Sequence, residues 1–205
     1  DEVARKAGFD SLTLFSMFIP NTYEFYWTVT PEEFVERMKR EYDRFWTPER
    51  DALRKRSGLS RFEVMTLASI VYEETRKTDE MPRIAGVYVN RLRKGMPLQA
   101  DPTVKYAMQD FGLRRILHKH LKYESPYNTY RNKGLPPSPI CMPGIDAIDA
   151  VQDKEQTPKQ RRNLKSFRAM LSFELLLDKV VRAMAPGWEL RDKTLAENRP
   201  ASREA

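Results

Sequence analysis

The chain has 205 residues, 40% hydrophobic and 32% charged, with a formal net charge of +7. That balance is globular rather than disordered, and no apolar run approaches the roughly 20 residues of a membrane span. One cysteine, Cys141, and two histidines, His118 and His120, exclude an internal disulfide framework and leave little for a zinc centre or a histidine-based triad. The positive charge suits an anionic partner such as nucleic acid, a membrane surface or another anionic polymer, and equally suits plain solubility. The first residues, DEVARKAGFD, are neither a signal peptide nor a start methionine, so they read as an internal start with any targeting segment cut away.

In chain order, Thr30-Pro31-Glu32-Glu33 is a helix start, with Thr30 as N-cap, proline at the first position and Glu33 closing a capping box. Phe34, Val35, Met38, Tyr42 and Phe45 then recur at helical spacing. Thr47-Pro48-Glu49 opens a short basic helix that ends at Gly58. Ser60 with Glu63 forms another capping box and opens a helix over about Arg61 to Lys77. A fourth helix begins at Pro82, carries Ile84, Val87, Tyr88 and Leu92, and ends at Gly95. Leu98 to Ala100 reads as extended, and Asp101-Pro102 as the cap and first position of a short helix. From Glu124 to Gly144 the chain is rich in Pro, Gly, Asn and Tyr, a long ordered loop of the kind that usually has a function. Asp153 to Arg162 is polar and basic, Leu164 to Met184 reads as a helix, and the tail after Pro186 is expected to fray.

One carboxylate stands out. On a wheel at about 100° per residue, Val64, Leu67, Ala68 and Val71 define a core face, Glu73 points away from it, and Glu74 falls roughly 80° from its centre. Glu74 also lies near the helix C-terminus, where unpaired carbonyls make the potential negative. Partial burial and that potential both penalise ionisation, and an acid that stays protonated near neutral pH can protonate a leaving glycosidic oxygen. The alternative is a boundary glutamate paired with one of the many lysines or arginines. Asp101 is a possible second carboxylate, although its position as a helix cap is already a structural role. His118 and His120 face different directions and read as surface residues. Pro126-Tyr127-Asn128-Thr129-Tyr130 mixes aromatic faces with amides and hydroxyls, which suits sugar binding or a structural loop. Arg83, Arg91, Arg93 and Lys94 form a basic rim.

The run Leu67-Ala68-Ser69-Ile70-Val71-Tyr72-Glu73-Glu74-Thr75 is followed by Arg83-Ile84-Ala85-Gly86-Val87-Tyr88-Val89-Asn90-Arg91-Leu92. Then come Gly95-Met96-Pro97-Leu98-Gln99-Ala100-Asp101-Pro102-Thr103-Val104, Tyr127-Asn128-Thr129-Tyr130 and Gly134-Leu135-Pro136-Pro137. Together with Phe18-Ile19-Pro20-Asn21-Thr22-Tyr23, these closely resemble the YceG-like (MltG) family of endolytic murein transglycosylases, from about Phe18 to Val151. The resemblance implies a bacterial lytic transglycosylase anchored in the cytoplasmic membrane by an N-terminal helix missing from this chain, with its catalytic domain outside. It implies cleavage of the MurNAc–GlcNAc β-1,4 bond of nascent peptidoglycan strands with formation of 1,6-anhydro-MurNAc ends, and peptidoglycan synthases as possible partners.

The family's catalytic glutamate falls on Glu74. Asn90, Gln99, Asp101, Thr103, Tyr127, Asn128 and Thr129 are expected to contact the glycan, with no metal, organic cofactor or nucleic acid required. Tyr72 stands where many members have glutamate. After Val151 the family's aromatic strands are replaced by the helical-looking Asn163 to Met184, before Lys193-Thr194-Leu195-Ala196-Glu197 resumes the likeness. The expected fold is α+β: a largely helical first half with a small sheet beside the active-site groove. It forms a single catalytic domain over 1–205, divided into an N-terminal helical region (1–58), a motif-bearing core (59–151) and a divergent C-terminal segment (152–205). The alternatives are a hydrolytic muramidase and a non-catalytic glycan-binding or scaffold protein of the cell-wall machinery.

Overall fold

A computed structural model of the chain describes residues 2–10 and 12–152. The predicted helix Leu164 to Met184, the fraying tail and the segment Lys193 to Glu197 lie outside the described residues. Among the described residues eight α-helices follow in order: α1 (Glu2–Lys6), α2 (Pro31–Phe45), α3 (Pro48–Ser57), α4 (Arg61–Glu74), α5 (Met81–Arg93), α6 (Asp101–Met108), α7 (His118–Leu121) and α8 (Ile145–Gln152). A 3-10 turn, Leu14–Met17, lies between α1 and α2.

The centre of the fold is α4. Its residues Val64 to Val71 are all buried, and a helix enclosed on every side must be apolar on every side. Against it pack α8, α5 and α6, with α3 and the 3-10 turn completing the cover. From α8 come Ala147, Ile148, Ala150 and Val151, and from α5 Met81, Ile84, Ala85, Val87 and Val89. The two polar residues inside α4 are satisfied locally. Thr66 Oγ1 donates to Phe62 O, and Ser69 Oγ donates to Thr66 O while accepting from Ile140 N at 3.0 Å. The bond from Ile140 ties the proline-rich loop to the central helix.

The helix starts form as their local chemistry dictates. Thr30 and Ser60 both make complete capping boxes, with Glu33 and Glu63 respectively. Thr47 caps α3, which ends at Gly58 in the left-handed conformation (φ 77°) that a glycine enters without Cβ strain. Asp51 in α3 receives Arg54 Nε at 2.9 Å and Arg61 Nη2 at 2.5 Å, fastening α3 to the first turn of α4.

Four expectations are corrected. The small sheet is absent: among the described residues there is no strand, and the fold there is helical. The segment read as extended, Leu98 to Ala100, is interrupted at Gln99, whose φ is 53°. It also meets only one loop residue, with Gln99 N donating to Thr129 O and Ala100 N to the Thr129 hydroxyl. A ladder needs repeated backbone pairs, and here one of the two bonds ends on a side chain. The helix predicted to reach Lys77 stops at Glu74, because Thr75 is extended (φ −148°, ψ 145°). The Thr75 hydroxyl accepts from Lys77 N and donates to Glu80 Oε2, which holds the chain out of the helix. Finally, His120 is buried at 8% exposure, its Nδ1 accepting from Leu117 N, whereas His118 is exposed as expected.

Candidate active site

The end of α4 separates its two glutamates. Glu73 is exposed and paired with Arg76 at 3.0 Å. Glu74, the last helical residue, is half-buried. Tyr88 Oη, from the buried face of α5, donates to Glu74 Oε2 at 3.2 Å. Among the described residues this is the only side chain hydrogen-bonded to Glu74. No lysine or arginine among them is paired with it, so the ion-paired boundary glutamate allowed by the sequence is not what the fold builds.

Burial pushes the Glu74 carboxyl above the usual carboxylate range, and the nearby charge of Asp101 pushes it further the same way. The Tyr88 hydrogen bond and the cations Arg91 and Lys105 oppose that rise without cancelling it. The Tyr88 phenol is itself driven well above its ordinary value by burial and by the Glu74 charge, so it acts as a donor.

Asp101 is not the helix cap. Ala100 takes that position, and Asp101 is the first residue of α6. Its Oδ1 accepts from Tyr130 Oη at 2.5 Å, and burial together with that carboxylate raises the Tyr130 phenol strongly. Among the described residues no side chain caps the start of α6, and Ala100 is held instead by a closed circuit of hydroxyls. Ala100 N donates to Thr129 Oγ1 (3.0 Å), Thr129 Oγ1 meets Thr103 Oγ1 (2.8 Å), and Thr103 Oγ1 donates to Ala100 O (2.7 Å). Because the Thr103 proton goes to Ala100 O, Thr129 is the donor in the middle bond, and each bond polarises the next.

The remaining expected glycan contacts divide by exposure. Thr103, Thr129 and Asn128 are 0%, 1% and 0% exposed. Asn128 Nδ2 donates to Leu121 O and Tyr123 O, and its Oδ1 accepts from Tyr130 N, so the whole amide is used to shape the loop. Tyr127 is half-buried, bonded to Ser138 at 2.7 Å and with its ring 4.9 Å from that of Tyr106. Gln99 is exposed and Asn90 half-buried, and both side chains reach solvent. The structure therefore puts Asp101 within electrostatic reach of Glu74, makes Thr103, Asn128 and Thr129 buried support for the loop, and leaves Gln99 and Asn90 as surface groups.

Tyr88, Arg91, Lys105 and Tyr130 complete this surrounding; the sequence placed Tyr130 in a candidate sugar-binding segment and Arg91 in a basic rim, and it did not single out Tyr88 or Lys105 as site residues. Tyr88 reads there as one more member of an apolar stripe. The available signal was its hydroxyl, since a buried tyrosine normally finds a hydrogen-bond partner. Arg91 follows it at i+3 and donates to Leu98 O, joining α5 to the loop that carries Gln99. Tyr72 turns away from this cluster: its ring lies under Arg76 (4.1 Å) and against Gly144, where an added Cβ would come within 3.0 Å of it. Among the described residues no group of three His, Cys, Asp or Glu side chains gathers as a metal site would.

The sequence profile of the YceG-like family matches residues 2–160. The chain belongs to the YceG-like family. A Bacillus subtilis (strain 168) protein named endolytic murein transglycosylase is 42% identical over 103 residues, which are 50% of this chain and 28% of that protein. A protein of the same name from Streptococcus pneumoniae serotype 2 (strain D39) is 35% identical over 135 residues, 64% of this chain and 24% of its own length. A crystal structure of a yceG-like protein from Listeria monocytogenes matches with a TM-score of 0.59 at 35% identity, covering 69% of this chain and 46% of that one. The chain thus spans about a quarter of the length of these two curated relatives.

Proposed function

We propose that this chain carries the catalytic centre of an endolytic peptidoglycan lytic transglycosylase, with Glu74 as its acid and then its base. The observation that carries the reading is Glu74 itself: a half-buried carboxyl with a raised proton affinity, held at Oε2 by one neutral donor. The names of the relatives point to the same activity.

In the proposed reaction the Glu74 carboxylic acid gives its proton to the glycosidic oxygen between MurNAc and GlcNAc as the C1–O bond breaks. The 6-hydroxyl oxygen of the same MurNAc then bonds to C1, and its proton passes to the Glu74 carboxylate, which restores the acid. The product is a 1,6-anhydro-MurNAc end. Since the nucleophile belongs to the substrate, neither a carboxylate nucleophile nor an activated water is needed, unlike ordinary glycoside hydrolysis. Tyr88 keeps one carboxylate oxygen occupied and so directs the other towards the bond. The same reading places the domain outside the cytoplasmic membrane, anchored through an N-terminal helix, with peptidoglycan synthases as partners. Among the described residues no helix is long and apolar enough to cross a membrane.

A second reading, a hydrolytic muramidase, is favoured by one observation: Asp101 stands near enough to Glu74 to act on it electrostatically, and hydrolases work with two carboxylates. Mass spectrometry of digested peptidoglycan separates the two. Anhydro ends support the transglycosylase, and reducing ends support the muramidase.

A further inference from the structure

We infer that the lobe between α6 and α8, residues 110–133, docks on an anionic phospholipid surface through its cations and the exposed aromatic rings beside them. This rests on the reading that places the domain at the outer face of the cytoplasmic membrane, and it adds a second contact with that membrane.

Positive charge is concentrated in this lobe. Six cations (Arg114, Arg115, Lys119, Lys122, Arg131 and Lys133) stand against two acids, Asp110 and Glu124, so these 24 residues hold +4 of the chain's net +7. From Phe111 to Tyr123 no residue is acidic. Glu124 is taken by Arg131 at 3.0 Å. Arg114, Lys119, Lys122 and Lys133 are exposed, and among the described residues no carboxylate lies within ion-pair distance of them. Like charges crowded into one loop repel one another, and an anionic surface removes that cost.

The lobe is a folded unit rather than a loose string of charges. The Phe111 ring stands edge-on to Tyr106 at 6.4 Å, and Tyr106 lies 4.9 Å from Tyr127. The next residue, Asn128, donates from Nδ2 to Leu121 O at 3.0 Å and to Tyr123 O at 2.7 Å. Arg131 Nη1 donates to Lys122 O at 3.2 Å. Ring contacts and amide bonds therefore bring both ends of the basic run, Phe111 and Tyr123, to one stretch of loop, Tyr127 to Arg131. Both ends carry exposed rings, Phe111 at 67% and Tyr123 at 44%.

Rings beside lysine and arginine suit the headgroup layer, where the rings enter the interface and the cations meet lipid phosphates. A nucleic acid fits less well, because reading a groove takes a helix or ribbon that enters it, and α7 has four residues. The lobe is also joined to the start of α6, where Tyr130, next to Arg131, bonds Asp101 at 2.5 Å. A docked lobe thus fixes the height of that end of α6 above the bilayer.

The test is co-sedimentation of the whole chain with vesicles of phosphatidylcholine, alone or with about 30% phosphatidylglycerol, in about 0.1 M salt. Binding is expected only to the anionic vesicles and should weaken as salt rises. Lys119→Glu with Lys122→Glu should lower the partition coefficient by roughly 20-fold or more, at about 5-fold per cation removed. Lys55→Glu with Arg56→Glu changes the net charge equally on exposed positions of α3, and should lower it by less than about 3-fold. Phe111→Ser, with every charge kept, should lower it by roughly 5-fold. Thermal melts identify the folded variants, and Arg114→Gln with Lys119→Gln gives the answer where the charge-reversed pair does not fold. Absence of binding to anionic vesicles overturns the inference, as do equal losses from the two charge-reversed pairs, since binding then follows net charge alone. Unchanged affinity in Phe111→Ser also overturns it, and displacement from the vesicles by poly(U) RNA then identifies a polyanion partner. Glu74→Gln should bind the vesicles as the native chain does. If the transglycosylase reading fails, anhydro products are missing while vesicle binding persists, so the two claims fail separately.

Discussion

The Tyr88 phenol donates to Glu74 Oε2 at 3.2 Å, joining the end of the central helix α4 to the buried face of α5. It favours the ionised carboxylate, and the burial that surrounds the pair disfavours it. Burial wins, so Glu74 is an acid moderated by one donor.

Removing that donor should move the acid in a known direction. In Tyr88→Phe the bond that stabilises the Glu74 anion is lost, so its midpoint rises and the alkaline limb of the pH–rate profile moves to higher pH. Activity at the optimum should fall by roughly 3- to 10-fold, because the carboxyl is less well held and is a weaker acid towards the leaving oxygen. A profile recorded from about pH 4 to about pH 9 checks this, and a limb that moved to lower pH would be inconsistent with it.

Glu74 also bears on stability. Its proton affinity is raised in the folded state, so its contribution is fully present at low pH and is lost as pH rises through that raised value. Glu74→Gln has no charge to bury. It should therefore melt at a higher temperature than the native chain near neutral and alkaline pH, with the difference closing in acid. Thermal melts at about pH 8 and about pH 4 measure both ends of that window.

The hydroxyl circuit should be costly to break. Thr129→Val keeps the shape and removes the buried hydroxyl that accepts from Ala100 N, leaving Thr103 Oγ1 only the longer bond from Thr129 N on its accepting side. A loss of about 2 kcal/mol in unfolding free energy is expected, read by urea denaturation, with a larger proportional loss of activity because Asp101 and Gln99 depend on the same contact. Thr129→Ser, which retains the hydroxyl, should recover most of both.

Gln99 offers a contrast. Its φ of 53° strains a non-glycine residue, and its side chain faces solvent. Gln99→Gly should leave stability unchanged or raise it by about 0.5 kcal/mol, while raising KM for glycan through loss of the amide. If KM stays constant, Gln99 does not contact the substrate.

What the sequence made legible is what short-range chemistry decides. The starts of α2, α3 and α4 could be read because cap and capped residue lie three positions apart, as in Thr30 with Glu33 and Ser60 with Glu63. Glu74 could be told from Glu73 because a helix fixes the angle between neighbours. The end of α4 was not legible, since Thr75 is held out of the helix by Glu80, five residues on. Leu98 to Ala100 reads as extended, but an extended run becomes a strand only with a partner, and among the described residues one loop residue, Thr129, meets its backbone N–H groups. Asp101 looked like a cap because Asp-Pro commonly is one. Its release from that role depends on Thr129, which meets Thr103 only in the folded chain.

The central claim is that Glu74 cleaves glycan by passing its proton to the leaving oxygen and taking one back from the 6-hydroxyl. The most direct measurement is mass spectrometry of purified peptidoglycan after incubation with the native chain and with Glu74→Gln. Muropeptides with 1,6-anhydro-MurNAc ends are expected from the native chain, with a yield at least ~100-fold lower from the variant. Anhydro products at equal yield from both proteins would contradict the claim.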